Sequence, residues 1–161
     1  MEQEIASVAK FVLDNAGATL NPFYYDVPES FAYPAAYFPR PEITTRGDTL
    51  NTYAFSYAWF PLIFCETTEE AYDHALAVLT ALKYERNLVP LMDAQTGKQI
   101  GARLRIDDPQ IKTVDRGAVQ IGISWDSRRP YKSWDECVGQ IVYITQPHLK
   151  FDTKERYSEG G

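Results

Sequence analysis

The sequence predicts an α+β protein, a mostly antiparallel β-sheet with two helices packed on one face. Three observations predict it. Apolar residues recur at helical spacing in two stretches, at the N-terminus and after residue 67. Elsewhere they alternate with polar residues or fall in short runs bounded by proline, glycine and aspartate. The resulting order is helix, short strands, long strand, helix, then strands to the end, which is the order of an α+β sheet and not of repeated βαβ units.

Residues 2–16 read as the first helix. Ile5, Val8, Ala9, Val12 and Ala16 form one apolar stripe. Glu2 and Glu4 fall in the first turn, where carboxylates favour the helix dipole, and Gly17 suits the position after the helix. Pro22, Pro28, Pro34, Pro39 and Pro41 then forbid a long helix. Phe23–Val27, Ala35–Phe38 and Glu42–Arg46 read as short strands at a sheet edge, where proline is tolerated. Thr45–Asp48 reads as a turn.

The long strand 51–65 carries the densest pattern. Tyr53, Phe55, Tyr57 and Trp59 fall on one face and Thr52, Ala54, Ser56 and Ala58 on the other, a ladder of rings backed by a flat surface. Pro61 must end its regular pairing or mark a bulge. Thr67 and Glu70 have the spacing of a capping box, and the second helix runs from there to about Tyr84. Its inner face is Ala71, Ala75, Val78, Leu79 and Leu82, widened by Tyr72 and Leu76.

Residues 86–98 read as a connector with a turn at Asp93–Gly97. The next strand alternates Ile100, Ala102, Leu104 and Ile106 with Gln99, Gly101, Arg103 and Arg105, and Asp107-Asp108-Pro109 closes it as a turn. Ile111–Val114 reads as a short strand and Asp115-Arg116-Gly117 as a hairpin loop with a left-handed glycine. Val119, Ile121, Ile123 and Trp125 alternate in the strand that follows. Residues 127–137 read as a polar loop, Val138–Thr145 as a last strand, and residues 1–147 as one domain with a flexible tail over 148–161.

The chain has 161 residues and a net charge of −6, and its basic residues are scattered. That balance argues against a nucleic-acid-binding domain, which shows a basic patch or stripe. Tyrosine, at 11 residues, dominates the aromatic set and suits half-exposed faces and interfaces. No segment approaches a membrane span, and no signal peptide is visible.

Catalytic residues, cofactors and metals are not expected. Cys65 and Cys137 lie far apart, form no CxxC, and with His74 and His148 do not make a zinc site by spacing. They read as reduced, structural thiols. His74 reads as structural because no nucleophile or base is placed beside it by any motif. Glu69 and Glu70 are explained by the helix start. The glycines form neither GxGxxG nor GxxxxGK[ST]. The candidates left are surfaces. Tyr53, Phe55, Tyr57 and Trp59, with Arg103 and Arg105 on one strand face, are the expected subunit interface. The arginines read otherwise as a strand edge that repels pairing or as an anion site.

This order of elements resembles the tail terminator (tail-to-head joining, tail completion) proteins of long-tailed bacteriophages. The resemblance rests on the helix Glu2–Ala16, Tyr33-Pro34-Ala35-Ala36-Tyr37-Phe38-Pro39, the strand 51–65, Glu66-Thr67-Thr68-Glu69-Glu70-Ala71 leading into Leu76–Leu82, and the hairpins 99–126. It covers about residues 1–128, and residues 131–161 extend beyond the family pattern. It implies a small α/β protein forming a ring, usually hexameric, that ends tail-tube growth and joins the tail to the head connector. The implied partners are further copies of the chain and the tail-tube and head-connector proteins, with DNA passing through unbound and no membrane. The implied place is the head-proximal end of the tail, after assembly in the host cytoplasm. The alternatives are another head–tail completion or tail-tube protein, a cytosolic module whose sheet cups a small ligand, and last an enzyme around His74 or the arginine pair.

Overall fold

The computed structural model describes residues 2–93 and 95–132. The chain divides into two units, Met1–Arg129 and Pro130–Gly161. The expected domain end at 147, the strand at Val138–Thr145, the tail from 148 and Cys137 all lie outside the described residues.

Two helices and a mostly antiparallel set of strands give the α+β class. The elements are α1 (Glu2–Asn15), β1 (Asn21–Tyr24), β2 (Ala35–Phe38), β3 (Glu42–Gly47), β4 (Thr52–Trp59), β5 (Leu62–Phe64), α2 (Thr68–Tyr84), β6 (Leu88–Met92), β7 (Gln99–Arg105), β8 (Asp107–Asp115) and β9 (Ala118–Pro130). The larger sheet runs β1-β2-β5-β9-β4-β3, with β8 also paired to β9, while β6 and β7 form a separate two-stranded ribbon. β1 pairs with β2 in parallel, while β2 with β5, β3 with β4, β5 with β9 and β8 with β9 are antiparallel.

β9 organises the sheet. Its first residues pair with β5, Phe64 opposite Ala118 and Leu62 opposite Gln120. The Ile121 N–H donates to the Pro61 carbonyl at 2.8 Å, and further on Ser56 Oγ donates to Asp126 at 2.6 Å. β4 and β5 therefore follow one another along β9 as one long strand interrupted at Phe60–Pro61, as the proline predicts. On its other edge β9 pairs with β8 around the loop Arg116–Gly117. Gly117 has φ of +73°, and a Cβ there would lie 2.5 Å from the Cys65 carbonyl oxygen, so only glycine fits this turn.

The alternation on β9 puts Val119, Ile121, Ile123 and Trp125 into one core with Val8 and Val12 of α1, Ala71, Ala75, Val78 and Leu82 of α2, and Tyr57, Trp59 and Ile63. α2 begins where the capping pattern places it. Thr67 is the N-cap, and its Oγ1 accepts from the Glu70 N–H at 3.2 Å.

Several boundaries differ from the sequence reading. β3 continues through Gly47, and the turn comes later, where Asp48 and Thr49 N–H groups both donate to the Thr52 carbonyl. β2 lies inside the sheet, between β1 and β5, so of the three short strands only β1 and β3 are at an edge. The connector after α2 contains β6, and Pro90 is tolerated there because a two-stranded ribbon has free edges. Asp107-Asp108-Pro109 opens β8 instead of ending pairing. A register shift between Asp107 and Gln110 absorbs the proline. β9 extends to Pro130, through the first part of the expected polar loop. Tyr72 and Leu76 do not widen the inner face of α2. They are exposed, because that face is already filled by Ala71, Ala75, Val78 and Leu82.

Candidate functional site

The ring ladder of β4 passes from the core to the surface. Tyr57 and Trp59 are each 1% exposed. Tyr57 stacks on Trp125 with ring centroids 4.8 Å apart. Trp59 meets Trp125 edge-on and Phe38 at a tilt, and its Nε1 donates to the Pro39 carbonyl at 2.6 Å. Both rings are spent inside the protein's own core and offer no surface to a neighbour. Tyr53 and Phe55, nearer the Asp48–Thr52 turn, remain partly exposed and contact each other edge to face at 5.5 Å. Of the four rings expected at an interface, only these two are partly exposed, beside the edge strand β3, where Phe55 pairs with Thr45 and Tyr53 with Gly47.

At that end of β9 the structure gathers polar groups that periodicity did not single out. Glu4, read in sequence only as a first-turn acid, accepts from Trp125 Nε1 at 3.2 Å and from Ser127 Oγ at 2.7 Å. Arg129 donates to Ser127 Oγ at 3.3 Å and lies over the Phe55 ring at 5.9 Å. The Tyr57 hydroxyl is buried and makes no hydrogen bond among the described residues. Burial pushes its pKa above the ordinary phenol value, the Glu4 charge adds to this, and Arg129 opposes it. The cluster ties α1 to β9. It contains an acid, a hydroxyl and a guanidinium but no imidazole or amine to activate the hydroxyl.

On the opposite face of β9, Asp126 accepts from Ser56 and pairs with Arg46, across from β4 and β3. The Ser56 hydrogen bond, then the Arg46 partner, holds the Asp126 carboxyl below the ordinary range despite partial burial. Arg128 pairs with Asp48 at 2.8 Å. The adjacent basic pair Arg128-Arg129 is thereby used within the chain, one residue on each face of the strand.

Arg103 also has a partner in its own chain. It bonds Glu85, the C-cap of α2, at 3.1 Å, an arrangement among none of the three sequence expectations. It arises because β6 returns directly from α2 and carries β7 alongside. Arg105 and Arg103 are both exposed on the ribbon, with Ile100 and Ala102. The structure brings the arginines together on β7 and Tyr53 with Phe55 on β4, but these lie in separate sheets.

His74 is not without partners. Its Nδ1 lies 2.7 Å from the Ala16 carbonyl oxygen. Cys65 is buried and free, and burial, with the Glu70 charge second, pushes its thiol up to about 11. No described helix is long and apolar enough to cross a membrane.

Further exposed apolar residues mark the edge strands β1 and β3. Tyr24, Tyr25, Val27 and Tyr33 lie on and after β1, and Ile43 and Leu50 on and after β3. On α2, Tyr72, Leu76 and Tyr84 project outward, and Leu76 and Tyr84 line an open groove that reaches Asn15 at the end of α1.

No family model matches this chain. Among solved structures it is similar to a chain of the virion of a native gene transfer agent particle, at 14% identity and a TM-score of 0.46, covering 79% of this chain and 94% of that one. In sequence it is 25% identical over 136 residues to the uncharacterized protein YqbJ of Bacillus subtilis strain 168, covering 84% of this chain and 91% of that protein. It is 26% identical over 142 residues to the phage-like element PBSX protein XkdJ of the same strain, covering 88% of this chain and 95% of XkdJ. The chain is therefore similar, over nearly the whole length of both proteins, to a protein of a phage-like element.

Proposed function

We propose that this protein is a structural component of a phage or phage-like particle, and that within it the chain acts as the tail terminator. It would form a ring on the head-proximal end of the tail tube, stop the tube's growth and join it to the head connector. The observation that carries the reading is the near full-length similarity to the PBSX protein XkdJ. The order of elements supports the finer assignment, since it follows the terminator pattern from α1 through the hairpins ending in β9.

The surface agrees with assembly. The larger sheet is open, with β1 and β3 on the side of β9 that carries β5 and β4, and β8 as the opposite edge, and both sides carry exposed apolar side chains, Tyr24 and Ile43 on the first and Val114 on the second. A contact joining one edge of a subunit to the other edge of the next is heterologous, and such contacts close into rings when their rotation divides the circle. Tyr53 and Phe55 beside β3, and Arg103 and Arg105 on the β6–β7 ribbon, are the residues we assign to contacts with neighbouring subunits or with tail-tube and head-connector proteins. A net charge of −6 suits a lumen through which DNA slides without being held.

Deletion of the gene from a phage genome that carries it tests this reading. Loss of the protein should leave full heads and separate tails of irregular, excessive length. Normal tails of fixed length already joined to heads would rule out the terminator role.

A further inference from the structure

We propose that Cys65, Glu70 and His74 form a three-ligand site for a divalent transition metal ion, which the donor chemistry identifies as zinc. Their spacing, Cys-x4-Glu-x3-His, is no zinc signature, and folding alone brings them together. Cys65 stands just beyond β5, while Glu70 and His74 are one turn apart on the first half of α2. Their ligand atoms all lie within 4.8 Å of one another, and His74 Nε2 is 4.0 Å from Glu70 Oε1.

Each ligand is held by a bond that leaves its donor atom free. The Cys65 N–H donates to the Gly117 carbonyl at 2.9 Å, and the tight Gly117 turn presses on the Cys65 carbonyl. The Glu70 N–H donates to the Thr67 hydroxyl, which fixes its backbone at the start of α2 through a bond that does not use the carboxylate. A carbonyl oxygen can only accept, so at 2.7 Å from Ala16 the His74 Nδ1 must carry the proton. That leaves the lone pair on Nε2, and a backbone carbonyl on the other nitrogen is the usual outer partner of a metal-bound imidazole.

Thiolate and imidazole favour zinc over magnesium or calcium, which take oxygen ligands. A thiolate, a carboxylate and a neutral imidazole carry the charge that a divalent ion neutralises, and binding releases the thiol proton to solvent. Zinc bonds of about 2.0–2.3 Å in a tetrahedron set donors roughly 3.2–3.7 Å apart, so the trio closes by about an ångström. Glu70 is exposed and can swing to do so, whereas Cys65 and His74 are fixed. The fourth position is left to water. Through His74 and Ala16 the ion would staple the strand end at Cys65 to α2 and to the end of α1. This proposal does not depend on the terminator reading.

The test uses the full chain, freed of metal with a chelator and titrated with cobalt(II) while absorption is followed. The expected result is a near-ultraviolet thiolate-to-cobalt band with the strong visible bands of four-coordinate cobalt, all removed by adding zinc(II). Cys65→Ser should abolish the thiolate band and Cys137→Ser should keep it. His74→Gln and Glu70→Gln should each weaken cobalt binding by about tenfold or more, the loss that even an outer-shell partner can cause. Circular dichroism checks that each variant is folded. Should one unfold, the unsubstituted chain still decides: zinc must raise its melting temperature. No thiolate band, a band that survives Cys65→Ser or disappears in Cys137→Ser, or no thermal shift with zinc would each overturn the proposal.

Discussion

Trp125 Nε1 donates to Glu4 Oε2 across 3.2 Å, joining the first turn of α1 to the far part of β9. Ser127 binds the other carboxylate oxygen at 2.7 Å. A charged acceptor on two donors in a half-buried position stabilises more than a neutral pair does, and its removal leaves both donors unsatisfied. Glu4→Ala should therefore cost about 1–3 kcal/mol, read as a lower urea midpoint at unchanged slope. An unaltered midpoint would show that the contact contributes nothing.

Gly117→Ala should be more damaging than Gly97→Ala. Both glycines have positive φ, +73° and +64°, so both variants pay about 1–2 kcal/mol for a left-handed alanine. Only at Gly117 does the new Cβ also meet backbone, the Cys65 oxygen at 2.5 Å, while nothing lies within 4 Å at Gly97. Thermal melting of the two variants side by side checks this. Equal losses would mean that the turn can shift away from Cys65.

Thr67→Ala should cost about 0.5–2 kcal/mol, because Thr67 Oγ1 accepts from the Glu70 N–H at the start of α2. Thr67→Ser, which keeps the oxygen, should recover most of the loss in chemical denaturation. Equal losses in both variants would remove the cap as the cause.

These elements differ in how plainly the sequence announces them. α1, α2 and the cap are legible because their stripes and the Thr67–Glu70 spacing are local. The run Val119–Trp125 is legible for the same reason. The parallel pairing of β1 with β2 is not, since it depends on a loop returning beside its own start. β6 and the opening of β8 are hidden by Pro90 and Pro109, which read as breakers until a ribbon edge and a register shift accommodate them. The end of β9 reads as polar loop because the partners of Arg128 and Arg129 lie at Asp48 and Ser127. The ladder Tyr53–Trp59 is visible as a pattern, but its division into core and surface is not. That division is set by Trp125 and Phe38, which sequence alone does not place against Tyr57 and Trp59. The trio Cys65, Glu70 and His74 has no signature at all and exists only through the turn into α2.

Asp126 should contribute to stability in a pH-dependent way. Folding lowers its pKa through Ser56 first and Arg46 next. The unfolded chain then binds the proton more tightly, so the contribution is present above the ordinary carboxylate value of about 3.9 and is lost as pH falls through the folded value. Asp126→Asn should flatten the acid limb of the stability profile below about pH 4, relative to the unsubstituted chain. An unchanged acid limb would assign the loss to other carboxylates.

Sedimentation velocity of the purified chain, alone and mixed with tail tubes of its own particle, tests the central claim most directly. The account predicts a ring-sized species at high concentration or co-sedimentation with the tubes, in a small fixed number of copies per tube. Charge reversal at Arg103 with Arg105 should reduce that binding while the monomer stays folded. A chain that sediments as a monomer in both samples, at every concentration, would contradict the tail-terminator account.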